Sequence, residues 1–398
     1  MNILFLTMNV FTDIEMHNIY SDLMKEFIRR GHYPYIVTPR EKQSGEETAL
    51  VTYPDHTILK VRIGNTSGVS FIEKGLSTVM LDGSFYRAIA KLLPDVTFDL
   101  ILYSTPPISL CGTIGKLKRK YRCKTYLMLK DIFPQNAVDI GLFSDHSPFY
   151  AYFRAKERKL YRLSDRIGCM SPANVRYVLE HNSEIQSKKV TICPNAIDAK
   201  PHAMLSSEQR RLIREKYGIP NNAVAFVYGG NLGKPQDIPF LIRCLQANEN
   251  LPDRFFVICG TGSEYPLLER YMQEHTPDNV LLLNGLPHNE YVDFIRALDV
   301  GLIMLDHRFT IPNFPSRLLS YMECAMPVLA CTDASTDIGQ IVETGGFGWW
   351  CASADTDGFS DCVERAIQSD RSAMGKAGRD YLEEHYTTAA CYSAIFEE

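Results

Sequence analysis

The sequence predicts an α/β protein made of two Rossmann-like domains with parallel sheets. Three observations predict it. At 398 residues the chain is too long for one ordinary hydrophobic core. Short apolar runs alternate with helical patterns along most of it, as strand–helix–strand units do. The alternation then restarts near Ala223, after a turn-rich segment at Cys193-Pro194-Asn195-Ala196-Ile197-Asp198 and a polar stretch ending about Pro220. The boundary and hinge are expected there. The expected division is 1–200, 201–380 and a C-terminal helix over 381–398 that packs back toward the first domain.

Composition bounds the class. Apolar residues make up 45% and charged residues 22%, ordinary values for a globular protein in water. No stretch approaches the roughly 20 apolar residues of a membrane helix. The opening MNILFLTMNVF lacks a basic flank and a small-residue cleavage site, so it reads as a first strand. The 11 cysteines are scattered, with no CxxC pair. That is the pattern of reduced, mostly buried thiols in a cytoplasmic protein.

The net charge of −5 conceals an asymmetry: residues 1–200 carry 27 Lys and Arg against 20 Asp and Glu, and the remainder 15 against 27. Much of the excess lies in Lys116, Lys118, Arg119, Lys120, Arg122 and Lys124, and in Arg154, Lys156, Arg158, Lys159 and Arg162. The second group is interleaved with Phe149, Tyr150, Tyr152, Phe153 and Tyr161. A basic helix studded with aromatics suits an anionic membrane surface. The alternative is a solvated helix whose aromatics face the core. No nucleic-acid-binding motif accompanies the charge.

The first strand is expected over 2–8, followed by a polar loop over 9–18. Tyr20, Leu23, Met24, Phe27 and Ile28 then recur at helical spacing up to Gly31. Further strands are expected from 35 and over 100–103, 124–129, 166–170 and 190–192. Ligands of open parallel sheets gather at the carboxyl ends of the strands, which singles out three loops: STPP over 104–107, KDIFPQ over 130–135, and Met170-Ser171-Pro172. Asp131 stands just where a strand should end.

In the second half a strand over 223–228 leads into Gly229-Gly230-Asn231-Leu232-Gly233-Lys234. Three glycines and a lysine after a strand suit a phosphate, although the spacing is not that of a Walker A loop. A strand over 255–259 leads into Gly260-Thr261-Gly262, but Tyr265 occupies the third glycine position of a dinucleotide fingerprint. Strands over 280–283 and 300–305 follow. Pro315-Ser316-Arg317 then opens a helix, with Leu318, Leu319, Met322 and Ala325 on its apolar face, before a strand at 328–330. A helix start with free N–H groups, a hydroxyl and a guanidinium suits a phosphate. The alternative is an ordinary capped helix before a core strand. Asp355-Thr356-Asp357 can hold a metal and a sugar diphosphate, but reads as the acidic start of a helix.

In this order the motifs TPP (105–107), KDIFPQ, CPNAID (193–198), GGNLGK, GTG (260–262) and PSRLLSYM (315–322) resemble the retaining glycosyltransferases of the GT-B fold. The resemblance is to family four, in the branch serving O-antigen and capsule assembly that includes L-fucosamine transferases. It implies two Rossmann-like domains facing a central cleft, with nucleotide sugar, a UDP-sugar, on the second domain and a lipid-linked or polysaccharide acceptor on the first. The diphosphate is expected against Gly230, Asn231, Gly233 and Lys234 and against Ser316 and Arg317, with Lys234 and Arg317 stabilising the leaving group without metal or cofactor. The nucleoside is expected near Gly260, Gly262 and Leu286 and the sugar at the loop over 311–314, which includes Asn313, with Pro315 a further donor-binding residue. Asp131 is expected to orient sugar or acceptor, the alternative being that it caps its loop. Asn9, Asp13, His17, Thr105 and Pro106 are the expected acceptor residues. Peripheral contact with the inner membrane face and no nucleic-acid partner complete the expectation.

Two departures from the family pattern stand out. Its Glu-x7-Glu pair aligns on Pro312 and Ser320, and Glu323 is the candidate to compensate for the missing ribose ligand. Arg317 replaces the branch's usual lysine, keeping the charge and adding a second donor fork. A non-catalytic binding relative and a UDP-sugar 2-epimerase are the competing classes.

Overall fold

The structure is a computed structural model that describes residues 1–65, 71–106, 108–201 and 205–396, so Pro107 of the expected TPP loop lies outside the described residues. It divides into two units, residues 1–198 with 388–398, and residues 199–387.

The first unit is one eight-stranded sheet. Its strands are β1 (Asn2–Leu6), β2 (Tyr33–Glu41), β3 (Ala49–Thr52), β4 (Thr57–Ile63), β5 (Leu100–Ser104), β6 (Lys124–Leu129), β7 (Arg166–Cys169) and β8 (Val190–Ile192). Their order is β3-β4-β2-β1-β5-β6-β7-β8, all parallel except the β3–β4 pair. The inner strands are apolar on both faces because helices cover both; Ile3, Leu4, Phe5, Leu102 and Leu127 are fully buried. The β3–β4 hairpin was not among the expected strands. In TILKVRI the burial alternates only after Leu59, and β3 is a short, largely exposed edge.

The second unit contains β9 (Val224–Asn231), β10 (Arg254–Thr261), β11 (Val280–Leu283), β12 (Val300–Met304), β13 (Val328–Thr332) and β14 (Gly348–Ala352). The sheet runs β11-β10-β9-β12-β13-β14. Counted within the unit this is the 3-2-1-4-5-6 dinucleotide-fold order, whose switch point lies between β9 and β12. In the first unit the order reverses between β1 and β5.

The polar stretch toward Pro220 contains a helix, Ser207–Lys216, closed by a capping box between Ser206 and Gln209 and anchored by buried Arg214 bonded to Asp299. The chain end carries two helices. Arg371–His385 stays in the second unit, while Thr388–Phe396 packs on Ser21–Arg29 in the first. An aromatic cluster fixes the latter contact, with Phe27 5.5 Å from Tyr392 and His32 stacked on Phe396 at 5.2 Å. Asp355 caps the Thr356–Gln368 helix, its Oδ1 accepting from the Gly358 amide at 2.9 Å.

Candidate active site

In the second unit the carboxyl ends of β9 and β12 bring two expected motifs together. The last residues of β9 and β10, and the turns after them, are pressed together. A Cβ on Gly260 would lie 1.9 Å from the Gly230 carbonyl oxygen, and one on Gly262 would lie 2.2 Å from that of Leu232. Those two glycines are therefore required by backbone crossing alone. Leu232 N donates to Thr261 O at 2.8 Å and Glu264 N to Leu232 O at 3.0 Å, locking the turns. Gly230 itself has φ +122, a conformation that favours glycine. Gln236 closes the loop, its Oε1 accepting from Gly233 N at 3.2 Å and Asn231 Nδ2 at 3.1 Å. Lys234, Asn231 and Gly230 remain exposed.

Arg317, the first residue of the Arg317–Glu323 helix, reaches this turn. Its guanidinium carbon lies 4.2 Å from the Tyr228 ring centroid, and a Cβ on Gly230 would sit 3.4 Å from Nη2. Tyr321 lies beneath, its hydroxyl accepting from Gly229 N at 3.2 Å and donating to Val227 O at 3.1 Å. The Tyr291 hydroxyl fills the space where Gly229 lacks a side chain. Burial pushes the Tyr321 phenol up to about 12, so the surroundings stay neutral and Arg317 is the cation of the pocket. Its Nη1 is buried and has no hydrogen-bond partner among the described residues. A desolvated guanidinium N–H is costly to leave unmade.

The surrounding residues divide. Ser316 sits at the helix N-cap but makes no capping bond, and its side chain is exposed, as is Ser320. Asn313 is turned into its own loop, with N bonded to Thr336 Oγ1 at 3.0 Å and Nδ2 to Ile311 O at 3.4 Å. Pro315 and Leu286 are half-buried. Glu323 does not stand in for Ser320: it is buried, and its Oε1 accepts from Lys200 N at 2.8 Å. Asp237, Asp306 and His307 form a possible metal-ligating group. Arg308, however, clasps the Asp306 carboxylate at 2.9 and 2.5 Å, and Asp237 caps the Ile238–Ala247 helix.

In the first unit the ends of β1, β5 and β6 carry the remaining expected residues. The loop after β1 is pinned to β2 by Thr38, whose hydroxyl donates to Asn9 O at 2.7 Å and accepts from Phe11 N at 2.9 Å. Asp13 is exposed and accepts from Glu15 N. His17 Nδ1 lies 2.7 Å from the buried Asp22 carboxylate. Thr105 is buried, and its hydroxyl accepts from Lys130 N at 3.0 Å and Asp131 N at 3.2 Å while donating to Asp131 O at 3.1 Å. Thr105 thus ties the two loops together, and Pro106 beside it is exposed.

Asp131 follows β6 and is largely withdrawn from water. The Nδ2 of Asn136 donates to both its oxygens, at 2.7 and 2.8 Å. Burial pushes its carboxyl up to about 6, against the opposing pull of the Ile132 amide and Asn136. Glu157, itself raised by burial, is held by Arg154 at 2.6 Å and by the Tyr161 hydroxyl at 2.8 Å.

Two family models match successive parts of the chain: Glycosyltransferase Family 4 over residues 18–200 and Glycosyl transferases group 1 over residues 209–381. The chain is a glycosyltransferase of the GT-B fold. It is 24% identical over 312 residues to the probable glycosyltransferase WbjE of Pseudomonas aeruginosa, covering 75% of this chain and 76% of that protein. To the putative colanic acid biosynthesis glycosyl transferase WcaI of Escherichia coli K12 it is 21% identical over 192 residues, 48% of this chain and 46% of the relative. Among solved structures, Anabaena Alr3699/HepE in complex with UDP superposes with TM-score 0.68 at 14% identity, covering 100% of this chain and 99% of that one.

Several side chains of this candidate site escaped the sequence reading. Tyr228, Tyr291 and Tyr321 form the wall around Arg317, yet each reads as an ordinary core aromatic in its strand or helix. Gln236 and Asn136 lie in the first turns after their loops, where a polar residue close to a glycine turn or a strand-end aspartate was the available signal.

Proposed function

We propose that this glycosyltransferase moves a sugar from a UDP-sugar to a lipid-linked or glycan acceptor with retention, in cell-surface polysaccharide assembly. One observation carries the reading: the buried, unpartnered Nη1 of Arg317 beside Gly230, at the switch point of the second sheet. A diphosphate supplies the missing acceptor atoms and the countercharge, and Lys234 adds a second cation at the rim. As the glycosidic bond to the donor breaks, charge grows on the diphosphate, and preorganised cations stabilise it there. Alr3699/HepE was solved with UDP, which supports a uridine nucleotide. The name of WcaI supports a polysaccharide acceptor. Asp131, from the first unit, orients the acceptor hydroxyl or the sugar.

The basic helix Pro148–Leu163 favours a lipid-linked acceptor. Phe149 and Tyr152 are 56% and 45% exposed, while Tyr161 faces the core, so the aromatics split between the two alternatives. Two outward aromatics beside Lys156, Lys159 and Arg162 suit the interface of an anionic bilayer. Among the described residues, no helix is long and apolar enough to cross a membrane.

The test is nucleotide release from a panel of UDP- and GDP-sugars, with and without a polyprenyl-diphosphate-linked sugar. Acceptor-dependent release of UDP is expected. Sugar conversion without acceptor, or binding without turnover, would overturn the reading in favour of an epimerase or a binding subunit.

A further inference from the structure

Asp131 is a carboxylate with two oxygens and a short, mobile side chain, so its usefulness depends on what fixes its orientation. The backbone around it is fixed by Thr105, which bonds Lys130 N, Asp131 N and Asp131 O. That arrangement sets where the Cα lies but does not reach the carboxylate, which the Ile132 amide and one side chain hold. The only side chain hydrogen-bonded to the carboxylate among the described residues is Asn136, in the first turn of the helix Gln135–Asp139. One amide nitrogen serves both oxygens, at 2.7 and 2.8 Å. The amide orientation is unambiguous, because an ionised carboxylate only accepts. The opposite end of the same amide is unsatisfied: Asn136 Oδ1 is buried and has no partner among the described residues. Leaving a buried acceptor unmade costs stability, and a residue chosen for packing alone would not keep an amide there. The cost is tolerated where the nitrogen is needed.

We propose that Asn136 is the positioning residue of the transferase, clamping the Asp131 carboxylate so that it faces the reacting groups in one orientation and stays ionised while it works. The inference rests on the reading that Asp131 acts at the reacting centre. Two physical effects follow from the clamp. A donor shared by both oxygens fixes the torsion, which is the entropic part of positioning. It also favours the charged over the neutral carboxyl, opposing burial and the nearby Glu157 charge. Removing the amide therefore loosens the carboxylate and makes it harder to ionise.

Asn136→Ala and the isosteric Asn136→Asp separate these effects. For Asn136→Ala, kcat is expected to fall about 10- to 100-fold, the worth of one hydrogen bond to a charged group, with the affinity for UDP unchanged. The acid limb of the kcat/KM profile is expected to move to higher pH. In Asn136→Asp two carboxylates would meet at hydrogen-bond distance and could not both ionise, so the acid limb moves further up than in the alanine variant. UDP affinity, a property of the second unit, and thermal melting verify that both variants are folded. An acid limb that stays in place in both variants, with kcat within twofold of wild type, overturns the inference. Asp131→Asn tells this apart from failure of the underlying reading. If that variant turns over normally, Asp131 has no role at the reacting centre and the clamp falls with it; if it is inactive while the Asn136 variants are unaffected, the clamp alone is wrong.

Discussion

The guanidinium carbon of Arg317 stands 4.2 Å from the ring centroid of Tyr228. The ring face attracts the cation by a cation–π contact, and its neighbours Tyr321 and Tyr291 offer no countercharge. The cation is thus stored in a neutral, desolvated wall with one N–H unmade. Arg317→Ala should weaken UDP binding about 10- to 100-fold, the range for losing hydrogen bonds to a charged group. Arg317→Lys should recover only part of it, since an ammonium lacks the delocalised guanidinium and its donor fork. Calorimetric titration with UDP measures both; equal affinities for all three proteins would remove Arg317 from the site.

Ser320 lies three residues after Arg317, on the same side of the helix, and is exposed. Glu323 is spent on Lys200, so no carboxylate of this helix substitutes for it. Ser320→Glu should tighten UDP or UDP-sugar binding several-fold by converting a neutral hydrogen bond into a charge-assisted one. Tightening toward ribose-containing ligands but not toward pyrophosphate is the expected pattern. An affinity that does not change would count against the nucleoside lying over this residue.

Burial holds the Asp131 carboxyl up near 6, above its unfolded value. The folded protein therefore binds the proton more tightly than the unfolded chain. The associated stability is present below about pH 4 and is lost as pH rises through about 6. Asp131→Asn, neutral at every pH, should melt higher than wild type at pH 7.5, with the gap closing toward pH 4.5. Turnover should be abolished by the same change. A melting difference independent of pH would show that the carboxylate is not the strained group.

Arg214 is fully buried and bonded to Asp299, and Asp299 also receives the Ala225 amide at 2.8 Å. This pair joins the Ser207–Lys216 helix to β9 and to the residue before β12. Asp299→Ala strands a buried guanidinium and should cost about 3–5 kcal/mol, seen as a lower midpoint in urea. Replacing both residues by apolar ones of similar size should recover much of the loss. A double variant as unstable as the single one would assign the effect to packing.

Phe149 and Tyr152 project from the helix Pro148–Leu163, with Lys156 5.4 Å from the Tyr152 ring centroid. The protein should co-sediment with vesicles containing anionic lipid and not with neutral ones, and added salt should weaken binding. Phe149→Ser with Tyr152→Ser should lower partitioning about tenfold or more, in line with the loss of two buried aromatics. Retention of full partitioning by that variant would place the contact elsewhere.

Much of the fold was legible because parallel strands buried on both faces leave uninterrupted apolar runs. The strands β6, β8 and β11 begin and end where the pattern said. β3 was less legible because a short exposed edge has little hydrophobic signal. Ser207–Lys216 was not among the expected helices because it is polar on most faces. Only the capping box and Arg214, whose partner lies 85 residues away, make it part of the second unit.

The sequence by itself determined the two sheets, the glycine turns at strand ends and the placing of Asp131, Arg317 and their loops at those ends. These follow from local pattern, since periodicity and turn chemistry act over a few residues. Tertiary structure decided what each group is able to do. It showed that Gly260 and Gly262 serve a backbone crossing, that Thr105 is spent on holding a loop, and that Glu323 faces Lys200. It also brought three tyrosines around Arg317 and set Asn136 against Asp131. Those relations depend on which side chains share one desolvated space, and desolvation is a property of packing that no local pattern records.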